Sequence, residues 1–316
     1  MKKALIICLF WILGIIPVVA REWTPLLLPD TRPVSLETVV RGENISLSFD
    51  SSFGGTVLLF IPEGYKPSPK GIDLVVHFHT NHNFVRQQFT VENRQALLLT
   101  VNFQGLSAAY RTPFQNDSTL WSHILSQAMD SACQLHPEYP RHWRKIGLTS
   151  FSAGYGAVRE LLKNPTIYSQ IQEVVLIDSL HTGIKDTTRR ELETEPMEPF
   201  VKLAKDAVKG KKLFITSHSA IIPETYAGTP ETNQYLIQKV NGKARLVVTK
   251  PDEVIQTTGK IWLVYDKGRF HVRGYTGTQA ISHLSQLWAL RYWFRGMEIG
   301  TPPEVMPKSG QARKLR

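Results

Sequence analysis

The stretch Gly147–Ala157, which reads GLTSFSAGYGA, contains the pattern on which the prediction of the fold depends. It begins as an apolar, β-prone run and continues directly into a helical one. Ser152 lies at the junction, with Ser150 two residues before it and Gly154 two residues after it. A sharp strand–turn–helix elbow strains the backbone of such a serine and requires small residues at both flanking positions. The pattern therefore predicts a serine hydroxyl that protrudes beyond the carboxyl end of a strand.

The length and composition are typical of an ordinary globular protein. The chain has 316 residues, enough for one large α/β domain or two small ones, and a formal net charge of +10. No internal repeat of the solenoid or propeller kind is present. The aromatic residues are not interleaved with a basic stripe, so the sequence predicts no nucleic-acid partner.

Residues 1–20 have the features of a secretory signal peptide. Lys2 and Lys3 provide the positive start, and an almost continuous apolar run follows from Ala4 to Val18. Small residues precede Arg21, where cleavage is expected, although an uncleaved N-terminal anchor remains an alternative. The sequence thus predicts a secreted or periplasmic protein.

The mature chain is expected to comprise a folded domain over residues 21–303 and a basic, disordered tail over residues 304–316. A basic exported protein can make electrostatic contact with the anionic polymers of a cell envelope. A solvated, charged surface is the more common origin of such a charge.

Apolar runs that read as buried strands alternate with helical segments along the chain. This alternation predicts an α/β fold with a doubly wound, mostly parallel sheet. Strands are expected at 45–49, 56–61, 73–79, 96–103, 145–150, 174–178, 213–217, 244–248, 261–265 and 270–272. Helices are expected at 118–135, 158–162, 202–209, 232–240 and 279–294.

Ligands of such a sheet bind at the carboxyl ends of its strands. Four side chains that can take part in chemistry fall at those ends, namely His79, Ser152, Asp178 and Ser217. Their positions predict one polar site along a single edge of the sheet.

The elbow and the order of the elements resemble those of the α/β-hydrolase superfamily. The elbow of that family usually reads G-x-S-x-G, and here Ser150 stands in place of the first glycine. The resemblance implies a Ser–acid–His order, with Ser152 as the nucleophile and Asp178 as the acid. Many members place the acid one strand later, where this chain offers only Glu224, but Asp178 lies directly at a strand end.

The resemblance places the catalytic base after the last strand or at the start of the last helix. His283 is the preferred candidate and His271 is the alternative, because His271 reads as a strand residue. The oxyanion hole is expected to use the backbone N–H of Ala153 and a second N–H from Thr80 or Asn81.

Two other classes of function remain open. His77, His79 and His82 fit H-x-H-x-x-H, which resembles the zinc site of the metallo-β-lactamase fold, but Asn81 replaces the aspartate of that family. A non-catalytic exported binding protein on a hydrolase fold is the third possibility. The favoured prediction is an exported serine hydrolase without a cofactor. It would be an esterase rather than a peptidase and would act on a small-molecule or polymeric ester.

Overall fold

A computed structural model describes residues 40–49, 53–247 and 259–301. The predicted signal peptide and the basic tail lie outside the described residues, and the division into domains stays a prediction. Among the residues that the structure describes, no helix combines the length and the apolar character needed to cross a bilayer.

The strands of the described residues are, in chain order, β1 Gly42–Leu47, β2 Gly55–Pro62, β3 Ile72–Phe78, β4 Leu97–Phe103, β5 Trp143–Phe151, β6 Ile171–Ile177, β7 Ile184–Asp186, β8 Glu191–Leu192, β9 Leu213–His218, β10 Arg245–Leu246, β11 Ile261–Lys267 and β12 Phe270–Tyr275. The helices are α1 His82–Val91, α2 Ser107–Asn116, α3 Leu120–Leu135, α4 Tyr155–Lys163, α5 Pro165–Gln170, α6 Glu198–Val208, α7 Thr229–Lys239, α8 Ala280–Trp288 and α9 Leu290–Arg295.

Ten of these strands form one sheet in the order β1-β2-β4-β3-β5-β6-β9-β12-β11-β10. The strands from β4 to β12 in this order are mutually parallel, whereas β2, β10 and β11 pair antiparallel with their neighbours. This arrangement confirms the predicted α/β class, with the mostly parallel sheet and leading antiparallel pair of the α/β-hydrolase fold.

The core consists of two apolar layers, one on each face of the sheet. Along β6, Val174 and Leu176 belong to the layer under α3, α4, α6 and α7. Val175 and Ile177 belong to the opposite layer, which α1, α8 and α9 cover. Side chains alternate between the two faces of a strand, so a strand buried on both faces reads as a continuous apolar run.

Several predicted boundaries differ from the observed ones. The helix expected over 279–294 is two helices that meet at Ala289, and α1 and α2 were not predicted at all. The strand expected over 244–248 is only the two-residue β10, and Val248 lies outside the described residues. The predicted strands of the central sheet, which position the site, are confirmed to within about three residues.

Candidate active site

Ser152 occupies the predicted elbow between β5 and α4. Strand β5 ends at Phe151, one 3-10 turn covers Ser152–Gly154, and α4 begins at Tyr155. The φ angle of Ser152 is 49°, a left-handed conformation that a residue with a side chain adopts only when its surroundings enforce it. The strained serine of the elbow is therefore present, as the motif predicts.

The packing around the elbow explains its small residues. A methyl group built on Gly154 would collide with the carbonyl oxygen of Phe78, and one on Gly156 would collide with that of Ser107. Ser150 fits where glycine is usual because its buried hydroxyl lies 2.8 Å from that of Ser179.

Asp178 follows β6 at the same edge of the sheet, as predicted, and has a φ angle of 42°. Its carboxylate is buried. Oδ1 accepts hydrogen bonds from the backbone N–H of Ser219 at 3.0 Å and from the hydroxyl of Thr229 at 2.5 Å. Burial alone would raise the pKa of Asp178, but the His283, Thr229 and Ser219 hydrogen bonds outweigh it and bring the pKa below its usual value. Asp178 is thus an anion of fixed orientation.

His283, the preferred candidate base, lies in the second turn of α8 and contacts Asp178. Its Nδ1 is 2.7 Å from Oδ2 of Asp178, and a quarter of its side chain is exposed. Its ring also stacks on Phe151, the residue before Ser152, with ring centroids 4.4 Å apart. The structure therefore brings the imidazole to the elbow.

His271, the alternative base, does not lie in this site. In the parallel register His271 is level with Ile215 and Ile215 is level with Val175, three residues before Asp178. That separation is about 10 Å along the strand direction. Nδ1 of His271 instead lies 2.6 Å from Asp266 on β11. His271 lies away from the site because β12 continues to Tyr275, which places His271 near the amino end of that strand.

The loop after β3, which was expected to provide a second oxyanion donor, is bonded to β4. The N–H of Thr80 donates to Oδ1 of Asn102 at 2.9 Å, so it is already engaged. Asn81 caps α1 through its side chain. The assignment of Thr80 is therefore corrected, whereas that of Ala153 stays a prediction.

The three histidines of the alternative zinc site have separate hydrogen-bond partners. Nδ1 of His77 lies 2.7 Å from the hydroxyl of Thr149, and Nδ1 of His79 lies 2.9 Å from that of Tyr110. His82 bonds Thr100 and Thr56 through its two nitrogens. Within residues 40–49, 53–247 and 259–301, no group of three or more His, Cys, Asp and Glu side chains could hold a metal ion.

The backbone explains why the three histidines do not form the alternative zinc site. Two histidines at i and i+2 share a face only on a continuous strand. Here β3 ends at Phe78, and the φ angles of His79 and Thr80 are 70° and 127°. The chain therefore turns at His79 and Thr80, so that His79 lies beyond the end of the strand that carries His77. Burial lowers the pKa of His77 to about 3, so this ring is neutral at ordinary pH.

His79 and His283 both stack on Phe151. The ring centroids of His79 and Phe151 are 6.2 Å apart, and the two planes differ by only 15°. Burial, followed by the charge of His283, lowers the pKa of His79. The sequence did not indicate that Phe151 stacks on the two histidines, because it reads only as an apolar strand residue.

A cavity of about 530 Å³ opens beside the elbow. Its aromatic wall includes Tyr155, His181 and Tyr226, whose neighbouring ring centroids are 5.5 and 5.2 Å apart. Burial lowers the pKa of His181. The lining residues, which come mainly from α2, α4 and the segment after β6, are Leu106, Ser107, Arg111, Gln115, Ser152, Ala153, Tyr155, Arg159, Glu160, Lys163, His181, Thr182, Gly183, Glu193, Glu195, Pro196 and Tyr226.

No family model and no curated protein matches this chain. Solved structures do resemble it at low sequence identity. A feruloyl esterase module from Clostridium thermocellum, complexed with sinapinate, has a TM-score of 0.44 at 12% identity and covers 85% of this chain and 92% of its own. A poly(3-hydroxybutyrate) depolymerase from Bordetella parapertussis has a TM-score of 0.46 at 12% identity, with 85% and 94% covered. The enterobactin and salmochelin hydrolase IroE has a TM-score of 0.45 at 10% identity, with 81% and 96% covered.

The sheet order and the strained serine after β5 define the class of the protein. The chain has the α/β-hydrolase fold, and its resemblance to that superfamily is confirmed at the level of the fold.

Proposed function

We propose that the protein is a serine hydrolase that cleaves carboxylic esters, with Ser152, His283 and Asp178 as its catalytic triad. The observation that carries the proposal is the Asp178–His283 pair, 2.7 Å apart, whose imidazole stacks on the residue before the strained Ser152. A serine hydroxyl is a weak nucleophile and needs a base, and that base needs a group that orients it.

The reaction has two steps. In the first, Nε2 of His283 removes the proton of Ser152 while Oγ attacks the ester carbonyl carbon. The N–H of Ala153 stabilises the negative oxygen that forms. The imidazolium then returns the proton to the leaving alcohol as the carbon–oxygen bond breaks, and an acyl-enzyme remains. In the second step water attacks this acyl-enzyme by the same route, releases the acid and restores the serine.

Each partner of the base has a distinct role in this scheme. Asp178 accepts the Nδ1–H bond and so holds the proton on that nitrogen, which leaves Nε2 free to accept the serine proton. The Ser219 and Thr229 donors keep the carboxylate ionised and fixed in one orientation. The Asp178 anion hydrogen-bonded to Nδ1 also stabilises the imidazolium that forms during the reaction.

The cavity beside Ser152 is large enough for a small-molecule ester or for one unit of a polymeric ester. We propose that the protein acts outside the cytoplasm, as a secreted or periplasmic enzyme. N-terminal sequencing of the mature protein should begin at Arg21, whereas recovery of Met1 in the membrane fraction would contradict export in a cleaved form.

Hydrolysis of 4-nitrophenyl acetate and butyrate by the purified protein tests the proposed reaction. We expect turnover that Ser152→Ala reduces about 10³-fold or more and that the control Ser122→Ala, an exposed serine of α3, leaves unchanged. Turnover that survives in a folded Ser152→Ala protein would contradict the proposal.

A further inference from the structure

One wall of the cavity beside Ser152 is basic. Arg111 of α2 and Arg159 and Lys163 of α4 all contribute to its lining. Arg159 is only 7% exposed, and the Nε atoms of Arg111 and Arg159 are both buried without a hydrogen-bond partner. A buried donor of a charged group that lacks a partner is costly and is normally satisfied. Nε of Arg159 does lie 3.5 Å from Oε1 of Glu160, which is an ion pair rather than a hydrogen bond. Both arginines line the cavity, where their side chains can contact a bound molecule.

The packing of α2 on α4 brings the two arginines to the same region. A Cβ built on Gly156 would lie 3.3 Å from the backbone nitrogen of Arg111, so the helices meet closely there. Arg159 follows Gly156 by three residues and thus lies on the same side of α4. Ser152 precedes the start of α4 by three residues. The basic wall is consequently adjacent to the proposed nucleophile.

Glu160 of α4 offsets only part of the charge of this wall. Oε2 of Glu160 lies 3.3 Å from Nζ of Lys163, and Oε1 lies 3.5 Å from Nε of Arg159, which leaves these three residues with one net positive charge. Arg111 has no carboxylate within 4.0 Å among residues 40–49, 53–247 and 259–301.

Two further carboxylates, those of Glu193 and Glu195, also line the cavity and are exposed to solvent. In the described part of the chain neither forms an ion pair with Arg111 or Arg159. Solvent screens exposed charges much more than buried ones. The buried charges of the cavity are those of Arg159 and Glu160. Arg111 is half-buried, and Lys163 is exposed.

We propose that the protein acts on esters that also carry a carboxylate, and that Arg111 and Arg159 bind this group while Ser152 attacks the ester carbonyl. The inference rests on the proposed function and specifies its substrate class. The planar guanidinium group offers two parallel N–H donors that match the two oxygens of a carboxylate. The Tyr155 ring, 5.5 Å from the Arg159 guanidinium, helps to hold that side chain in place.

Two matched substrate pairs test the proposal. The first carries the carboxylate on the acyl group, and the second carries it on the leaving alcohol. The first is the 4-nitrophenyl monoester of suberic acid against the same compound with its free carboxyl methylated. The second is 3-acetoxy-4-nitrobenzoate against its methyl ester. For at least one pair we expect the carboxylate form to have a kcat/KM at least tenfold higher than that of the methyl ester.

Three variants assign the preference to the basic wall. Arg111→Gln and Arg159→Gln should each lower the ratio of the two kcat/KM values about tenfold, mainly through KM, since a charged hydrogen bond is lost. Arg159→Lys should lower the ratio less, because it keeps the charge without the planar pair of donors. The control is Arg141→Gln, a surface arginine paired with Asp130, which should retain the wild-type ratio.

Thermal unfolding shows which variants are folded. If the variants of the buried Arg159 do not fold, Arg111→Gln alone tests the proposal. A wild-type ratio near one for both pairs would overturn the proposal, as would a ratio that survives both Gln substitutions. In either case hydrolysis of the methyl esters would still support the proposed function as an ester hydrolase. Absence of hydrolysis for all four compounds would instead contradict the proposed function.

Discussion

Nδ1 of His283 lies 2.7 Å from Oδ2 of Asp178, although 105 residues separate them in the sequence. The contact forms because β6 ends, and α8 begins, at the same edge of the sheet. Ser219 and Thr229 hold the other carboxylate oxygen, so that Oδ2 is directed at the imidazole. This pair is the part of the candidate site that the geometry defines most fully.

We predict that His283→Ala abolishes ester hydrolysis, because among the described residues no other imidazole is hydrogen-bonded to Asp178. The expected loss in kcat is about 10³-fold or more. His271→Ala is the matched control, since it removes a histidine that bonds Asp266 at another part of the sheet. The measurement is kcat on 4-nitrophenyl butyrate per folded molecule. A loss with His271→Ala and full activity with His283→Ala would reverse the assignment.

We predict that Asp178→Asn lowers kcat about 10³- to 10⁴-fold while the protein still folds. Asparagine preserves the shape but presents either an amide donor or a neutral acceptor to Nδ1, which disfavours the tautomer needed for catalysis. Asp130→Asn, an exposed carboxylate paired with Arg141, is the control and should keep its activity. The role of Asp178 would have to be abandoned if the Asn variant turned over at the wild-type rate.

We predict that Phe151→Leu lowers kcat about tenfold, because the rings of His79 and His283 both stack on this ring. Leucine keeps the apolar character but removes the stacking surface that positions the base. Phe89→Leu is the control, a buried phenylalanine of the same apolar layer that does not contact His283. Both should lose stability on the order of 1–2 kcal/mol. Equal kcat values for the two variants would restrict Phe151 to a packing role.

A separate prediction concerns the C-terminal segment of the described chain. Glu173 on β6 accepts hydrogen bonds from the backbone N–H groups of Glu298 and Ile299 at 3.1 Å. Burial, partly opposed by the Ile299 hydrogen bond, raises the pKa of Glu173 to about 7. Glu298 raises it further, whereas Arg269 and Arg94 lower it. This carboxyl therefore binds a proton more tightly in the folded than in the unfolded protein.

A raised pKa in the folded state means that stability falls as the pH rises from about 4.5 through 7, because only the folded state retains the proton. The contribution of Glu173 to the free energy of unfolding should decrease over this range by on the order of 3 kcal/mol. Glu173→Gln should flatten this dependence and be more stable than the wild type at pH 8. Denaturant unfolding at pH 5 and pH 8 measures the effect, with the exposed Glu63→Gln as the control. An unchanged slope in Glu173→Gln would show that other groups cause it.

Much of the site could be predicted because its key signals are local. The elbow needs small residues within four positions of each other, and Asp178 ends a continuous apolar run that reads as a buried strand. His283 was preferred because the resemblance placed the base near the last helix. The assignments of Ser152 and Asp178 depend on strand ends, which hydrophobic patterns locate well.

The rest depends on contacts between distant parts of the chain. Nothing near Thr80 indicates that Asn102 accepts its N–H, and nothing near Arg159 indicates that Arg111 lines the same cavity. Helix α2 escaped prediction because Pro113 interrupts its pattern and only Tyr110 is buried. The sequence could not exclude the alternative zinc site, because the turn at His79 and Thr80 uses positive φ angles, which residues other than glycine rarely adopt.

The central claim is that Ser152 is the nucleophile, and covalent labelling tests it most directly. The purified protein would be treated with a fluorophosphonate, which reacts with activated serines, and the modified peptide would be identified by mass spectrometry. We expect one adduct per chain, located on Ser152, that is absent from Ser152→Ala and strongly slowed in His283→Ala. An adduct on another residue, or labelling that persists unchanged in Ser152→Ala, would contradict the claim.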